Sequence, residues 1–416
     1  MTNPMQPTTP ERIGPVVSVA IVARIALNTA RRFVYPFAPA LSRGLGVPVS
    51  AITSIIALTQ GTGLLGLFLG PLTDHLGYRF MMMLALSLLV GGLLAGGIFP
   101  VYLVVMSAIM LAGLGKTMFD PAIQAYIGAH VPYHRRGFAI GLIEVGWAGS
   151  SLVGIPVMGL LIERAGWRAP FFALALVGAL SLIGLRLLIP RERLLIPGKA
   201  AHSVGPAVRF DVWKNWRQLL QNRTAWGTVC CGFLVNAAND VLFVVYGSWL
   251  ESAFGLSAVA LGLSVTVIGV AELAGEGFTA FLADRIGLHR AIMIGVGLSG
   301  VSYLFLMLSS GSLPVALAAV FLIFIAVEFT IVSSLSFSTE LLPQSRATML
   351  AGYLAAASAG RVVGALAGGL IWSFGGITAT ACVSAGLSGL GLAVFWWGLV
   401  RNRPPSDQSS DDRSEA

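Results

Sequence analysis

Apolar runs near the ~20 residues that a helix needs to cross a hydrocarbon core recur along the chain, separated by short polar turns. They predict twelve spans over residues 16–41, 49–69, 80–98, 102–127, 138–161, 170–189, 225–250, 257–279, 291–309, 314–339, 348–374 and 377–400. None shows the strict alternation over short segments that a membrane β-barrel requires, so the helical reading holds. The expected organisation is a tail over 1–15, a six-helix bundle over 16–189, a connection over 190–224, a second bundle over 225–400 and a disordered tail over 401–416.

Two of the polar turns match. Gly70-Pro-Leu-Thr-Asp-His-Leu-Gly-Tyr-Arg79 returns as Ala280-Phe-Leu-Ala-Asp-Arg-Ile-Gly-Leu-His-Arg290, with Asp74 and Gly77 each 210 residues before Asp284 and Gly287. The same offset relates Gly154 to Gly364, Gly159 to Gly369 and Arg136 to Arg346. An even number of spans in each half makes these parallel repeats about an axis along the membrane normal. Each turn joins an acid, a turn-forming glycine and a base, which suits a tight loop pinned to helix ends by charge and dipole.

Gly70, Leu72, Asp74, Gly77 and Arg79 resemble the loop signature between the second and third helices of the major facilitator superfamily, and Asp284, Arg285 and Gly287 form a partial second copy. The resemblance implies an all-α integral membrane protein in which two parallel-repeat six-helix bundles surround a central pathway, with these loops in a gating role. Gly154-Ile-Pro-Val-Met-Gly159 and Gly166-Trp-Arg168 are similar to the fifth-helix region of drug and sugar efflux members, although close packing of small residues explains them equally. Related transporters often carry an arginine in span four within a signature tied to proton movement. This chain has Ile109 at about that point.

Composition agrees with the pattern. The 416 residues are 56% hydrophobic and 11% charged with a mean hydropathy of +0.84, outside the range of soluble domains. A net charge of +8 reads here as loops facing anionic lipid rather than nucleic acid. Placing the Asp74 and Asp284 loops in the cytoplasm puts 17 basic residues inside and only Arg43, Arg164 and Arg168 outside, so both termini are expected in the cytoplasm of a cell-membrane protein. The first fourteen residues show no charged-then-apolar leader. In the connection, Trp213, Trp216, Leu219 and Leu220 have the spacing of an amphipathic helix lying on the inner leaflet. Cys230, Cys231 and Cys382 lie in apolar runs without metal-ligand spacing, and all five histidines fall in loops.

Ionisable residues inside the spans carry the functional expectation, because a charge near mid-bilayer costs several kcal/mol unless it is paired or hydrated. The acids are Asp120, Glu144, Asp240, Glu272, Glu276 and Glu328; the bases are Arg24, Arg31, Arg32, Lys116 and Arg361, with Arg186 near a helix end. Spans 3, 9 and 12 hold none of them, so spans 3, 6, 9 and 12 should be peripheral. Arg24, Asn28, Arg31 and Tyr35 share a helical face and, with Asn236, Asn239 and Arg361, are the candidates for a substrate cavity. A purely structural role in pairing acids is the competing reading of the arginines. Arg32 points off that face, toward a carbonyl or an acid. Tyr35, Pro36 and Pro39 should bend span one.

Lys116 and Asp120, four apart, form either a self-contained ion pair or a functional one. The repeat offset brings Asp240 level with Ala30, beside Arg31, which suggests an ion pair between Arg31 and Asp240 across the halves. Glu272 and Glu276 repel when both are ionised and are therefore candidate proton carriers, together with Asp120, Asp240 and Glu328. The expected function is secondary active transport by alternating access: proton-coupled efflux of a small organic molecule, or, as the alternative, symport of a polar or anionic nutrient. No ATP-binding signature, metal cluster or nucleophile motif supports an enzyme or a pump. No cofactor beyond an ion gradient is expected, and the expected partners are a small-molecule substrate and membrane lipid, with the protein a monomer.

Overall fold

The computed structural model describes residues 13–189 apart from 132, and 217–400 apart from 218, 220, 310 and 343–345. Both tails, most of the central connection with its expected surface helix, and so the boundary between the halves lie outside the described residues. The described chain is helical throughout, with no strand among the described residues.

Ten helices are long and apolar enough to cross a membrane. Span one is not among them: it is split into α1 (Ile13–Arg32) and the short α2 (Ala38–Leu45), and α1 carries three arginines. Two further spans share one continuous segment, Arg346–Val400, which turns at Gly375 and Gly376 where the backbone leaves helical geometry. The architecture is therefore the expected twelve-span one. The bend anticipated from Pro36 is a full break over 33–37. Span seven breaks at the equivalent place, between α3 (Arg223–Phe243) and α4 (Tyr246–Phe254).

The two halves also repeat in backbone detail. Gly46 and Gly255 end α2 and α4 in the left-handed region with φ of 66° and 65°. Gly77 and Gly287, in the motif loops, both hold φ near 86°, at 85° and 87°. A side chain is disfavoured at such φ values, so the repeated glycines are required by the turn rather than by composition.

Spans three (Tyr78–Ile98), six (Ala169–Leu188) and nine (Leu288–Phe305) present apolar side chains outward, among them Leu94, Ile98, Leu176, Leu187, Ile294 and Val301. Trp396 and Trp397 do the same in span twelve. These four are the peripheral spans. The halves meet through span two against span eleven, and span five against span eight. Both seams rely on small residues. A Cβ at Gly159 would lie 2.5 Å from the Ala258 carbonyl, and at Gly262 it would lie 3.1 Å from Pro156.

At the end opposite the motif loops the halves are closed on one another. Arg43 Nη1 lies 2.7 Å from Glu251 Oε1, the Val259 N–H donates to Glu163 Oε2 at 3.0 Å, and Gly247 packs onto the Pro36 carbonyl. Toward the motif loops, spans four and ten are not among the helices that pack closely across the halves. The passage is thus shut at the end opposite the motif loops.

The glycine geometry gives a direct test. Gly77→Ala and Gly287→Ala should each destabilise the detergent-solubilised protein by about 1–3 kcal/mol, because each forces a β-carbon into a glycine-only backbone region. Gly389→Ala, at an exposed helical site with no atom within 4 Å, should be neutral or slightly stabilising, all three read by thermal melting.

Candidate functional site

The break in span one determines the site. Helix α1 ends at Arg32, and the turn that follows carries Tyr35 inward, where its ring stacks on Phe243 of span seven at 4.2 Å between centroids. Its Oη–H donates to Asp240 Oδ1 at 2.6 Å. Gln60 of span two donates to Tyr35 Oη and accepts from Arg31. On the other side of Asp240, Arg361 of span eleven approaches to 4.0 Å while its Nε–H donates to Asn236 Oδ1 at 3.0 Å. A polar chain, Arg31 to Gln60 to Tyr35 to Asp240 to Arg361 to Asn236, therefore crosses from one half to the other.

That chain corrects the expected direct pair between Arg31 and Asp240. Their levels match, as the repeat offset indicated, but the break in span one inserts the Tyr35 hydroxyl between them and leaves Arg31 to Gln60. The buried ion pair joining the halves is instead Arg32 with Glu272. Arg32 Nη2 and Nη1 donate to the two Glu272 oxygens at 2.7 and 3.2 Å, with both residues almost wholly buried, and Ser151 Oγ–H adds a third bond at 3.1 Å. The guanidinium also lies over the Trp147 ring at 4.5 Å. This two-pronged geometry is the kind that offsets the desolvation of a buried carboxylate.

A second cluster lies within the first half. Arg24 binds Asp120 at 2.9 Å and Glu144 at 2.9 Å, and Lys116 binds Asp120. Lys116 also faces Trp147, 5.3 Å from the ring centroid, on which Arg32 rests as well. The expected pair of Lys116 and Asp120 is present, but as part of a four-residue cluster. Asn28 donates to the Gly146 carbonyl at 3.1 Å, fixing span one against span five.

Between the halves lies a cavity lined by Arg31, Arg32, Tyr35, Gln60, Trp147, Asn239, Phe243, Glu272, Phe324, Val327, Glu328, Ile331 and Arg361. Its centre has about 30 Å³ free for water, room for roughly two molecules, so an organic ligand requires it to widen. Of the expected cavity residues, Arg31, Tyr35, Asn239 and Arg361 line it. Arg24 and Asn28 do not, because Asp120, Glu144 and the Gly146 carbonyl hold them inside the first half; Asn236 stands behind Arg361 as its acceptor.

Among the acids, Glu272 and Glu328 face the cavity, Asp240 is buried beneath Tyr35, and Asp120 belongs to the cluster with Arg24. Glu276, one turn from Glu272, is not in the lining. Among the described residues Glu328 makes no hydrogen bond or ion pair, although it is half-buried. Sequence reasoning missed Gln60, Trp147, Phe243 and the apolar side chains of span ten, and it sent Arg32 away from the cavity. A neutral glutamine among apolar residues was the one readable signal. The motif-loop backbone is as expected, and Arg79 donates to the Arg186 carbonyl at 3.0 Å; the side chains of Gly70's neighbour Asp74 and of Asp284 lie outside the described residues.

Two six-span bundles repeated in parallel around a charged cavity are the architecture of a membrane transporter. The chain belongs to the Major Facilitator Superfamily, whose family model matches residues 20–239 and 228–415. It is therefore a multi-pass membrane transporter and not an enzyme. It is 24% identical over 328 residues to the uncharacterized MFS-type transporter YceJ of Bacillus subtilis (strain 168), covering 78% of this chain and 81% of that one. Multidrug resistance protein MdtG of Salmonella paratyphi B is 26% identical over 396 residues, covering 90% and 93%. Among solved structures, a POT family transporter in complex with a thioalcohol-conjugated peptide superposes with a TM-score of 0.72 at 15% identity, over 92% of this chain and 94% of that one. At that identity the likeness shows the fold.

The ion pair across the halves can be measured by a double-mutant cycle. Glu272→Met alone leaves Arg32 buried without a partner and should cost about 3–5 kcal/mol of stability. Adding Arg32→Met should recover most of that loss in the melting temperature, whereas additive losses would show that the two side chains are not coupled.

Proposed function

We propose that the chain is a proton-coupled secondary transporter that exports a small organic molecule, with the motif loops and both termini in the cytoplasm. The observation that carries the coupling is Glu328, an acid facing the cavity without a cation of its own. A carboxyl group so placed gains and loses a proton more readily than one committed to a salt bridge. Export is supported by the relatives named multidrug resistance protein and by the apolar wall of Trp147, Phe243, Phe324, Val327 and Ile331, which accepts an organic body with few directional demands.

With that orientation the far-side contacts of Arg43 with Glu251 and of Glu163 with Val259 close the outer end. Alternation requires these to part while the inner ends of spans four and ten approach. A second reading, symport of an anionic nutrient inward, is favoured by Arg31, which faces the cavity with a neutral partner.

Proteoliposomes separate the two. For an exporter, an imposed proton gradient drives substrate against the direction of proton flow; co-directional movement establishes the symport reading instead. Glu328→Gln should abolish gradient-driven accumulation by at least tenfold while leaving substrate exchange at equilibrium near the wild-type rate. Unimpaired accumulation by that variant would remove Glu328 from the coupling mechanism.

A further inference from the structure

Of the three arginines on the cavity wall, Arg32 is held by Glu272 and Arg361 lies 4.0 Å from Asp240, but Arg31 has no acid bonded to it. Arg31 Nη2 is bonded only to the neutral Gln60, and Arg31 Nε is buried without a hydrogen-bond partner. Trp147 Nε1, on the same cavity, is a second buried donor without an acceptor. Arg361 lines the same cavity from the opposite half. Asp240 stands between them but is spoken for by the Tyr35 hydroxyl at 2.6 Å, and only its second oxygen looks toward Arg361, at 4.0 Å.

Buried donors are nearly always satisfied in folded proteins, so the orphan donors of Arg31 and Trp147 are open to an acceptor from outside the chain, as the orphan acceptors Asn239 Oδ1 and Asp240 Oδ2 are open to a donor or to water. Two guanidiniums converging from opposite halves set the charge of that acceptor. Planar N–H forks match the oxygens of a carboxylate, sulfonate or phosphonate, and they bind them strongly in a dry site. The rest of the lining is apolar and aromatic: Phe243, Phe324, Val327 and Ile331. Glu272 is held by Arg32 and Ser151, and among the described residues Glu328 makes no hydrogen bond or ion pair with either Arg31 or Arg361.

We infer that the cavity selects an organic monoanion, its oxyanion bridging Arg31 and Arg361 with the Trp147 N–H as a further donor, and its apolar body against the span-seven and span-ten side chains. The inference rests on the cavity being the transport site and not on the direction of transport. Because the anion would touch both halves, its binding also supplies a contact that changes when they rock.

The test is thermal melting of the purified full-length protein in detergent with three isosteric probes: benzoate, benzamide and benzylamine. Ligand that binds only the folded state raises the melting temperature by mass action. Benzoate should raise it in a dose-dependent way and the amide and amine should not. Arg31→Gln should abolish the shift, Arg31→Lys should retain part of it, and Trp147→Phe, which keeps an aromatic ring but deletes the donor, should weaken it.

Equal shifts from benzoate and benzamide, a preference for benzylamine, no shift from any of the three, or a benzoate shift unchanged in Arg31→Gln would each overturn the inference. If Arg31→Gln does not fold, the probe comparison on the wild type and the Trp147→Phe variant decide the matter. The Glu328→Gln transport assay reads a different property, so an intact coupling result beside a failed benzoate result rejects only the anion.

Discussion

A lipid bilayer offers no solvent for an ionised side chain, and that constraint shapes every part of this molecule. Among the described spans, most of the charged groups are resolved in two ways. Arg24, Lys116, Asp120 and Glu144 neutralise one another inside the first half. Arg32 and Glu272 do so across the two halves, with a serine completing the carboxylate's bonds. Of the rest, Arg31, Arg361 and Glu328 gather on one cavity, Asp240 lies beneath it 4.0 Å from Arg361, and Glu276 stands outside the lining. The partition separates groups that hold the bundles together from groups free to meet a substrate or a proton.

The same constraint explains the breaks in spans one and seven. An uninterrupted helix would carry Tyr35 on around the axis of span one at 100° per residue and fix its direction. Breaking span one near the shut end lets the Tyr35 hydroxyl reach Asp240, which stays within the helix of span seven, and beyond the break in span seven Gly247 brings the two segments to backbone contact. These are bonds that a rocking motion can break and remake without exposing new charge to lipid, since each partner faces the passage rather than the membrane. Close seams of glycine at spans five and eight let the halves pivot at short range.

Much of the fold was legible in the sequence because it depends on length, hydropathy and a repeat, all of which are linear properties. Asp74 and Asp284, in register at a fixed offset, were enough to imply two halves, and the absence of ionisable residues from spans three, nine and twelve pointed to them as peripheral, although span two, equally free of them, lies on the seam with span eleven. The site was legible only in part. Helical spacing put Arg24 and Arg31 on one face, but span one is twenty residues of helix followed by a break, and its two ends meet different neighbours. Which acid each arginine takes is decided by span-to-span distances that spacing within one helix does not contain. The aromatic wall escaped notice for a simpler reason: apolar residues in an apolar span carry no contrast, whereas Gln60, a polar amide in such a span, did.

Under the proposed transport mechanism, the charges that face the cavity are tolerated because one water-accessible passage between the bundles receives them, and that passage opens to one side at a time. Thiol labelling from the two membrane faces tests this most directly. In a background with Cys230, Cys231 and Cys382 replaced by serine, Ile331→Cys should react with a membrane-impermeant maleimide in inverted vesicles. A second crosslink-locked sample, with Arg43→Cys and Glu251→Cys joined across the shut end, should keep that labelling and show none in right-side-out vesicles. Absence of labelling from either face, or equal labelling from both in the locked protein, would contradict the shared one-sided passage on which the account stands.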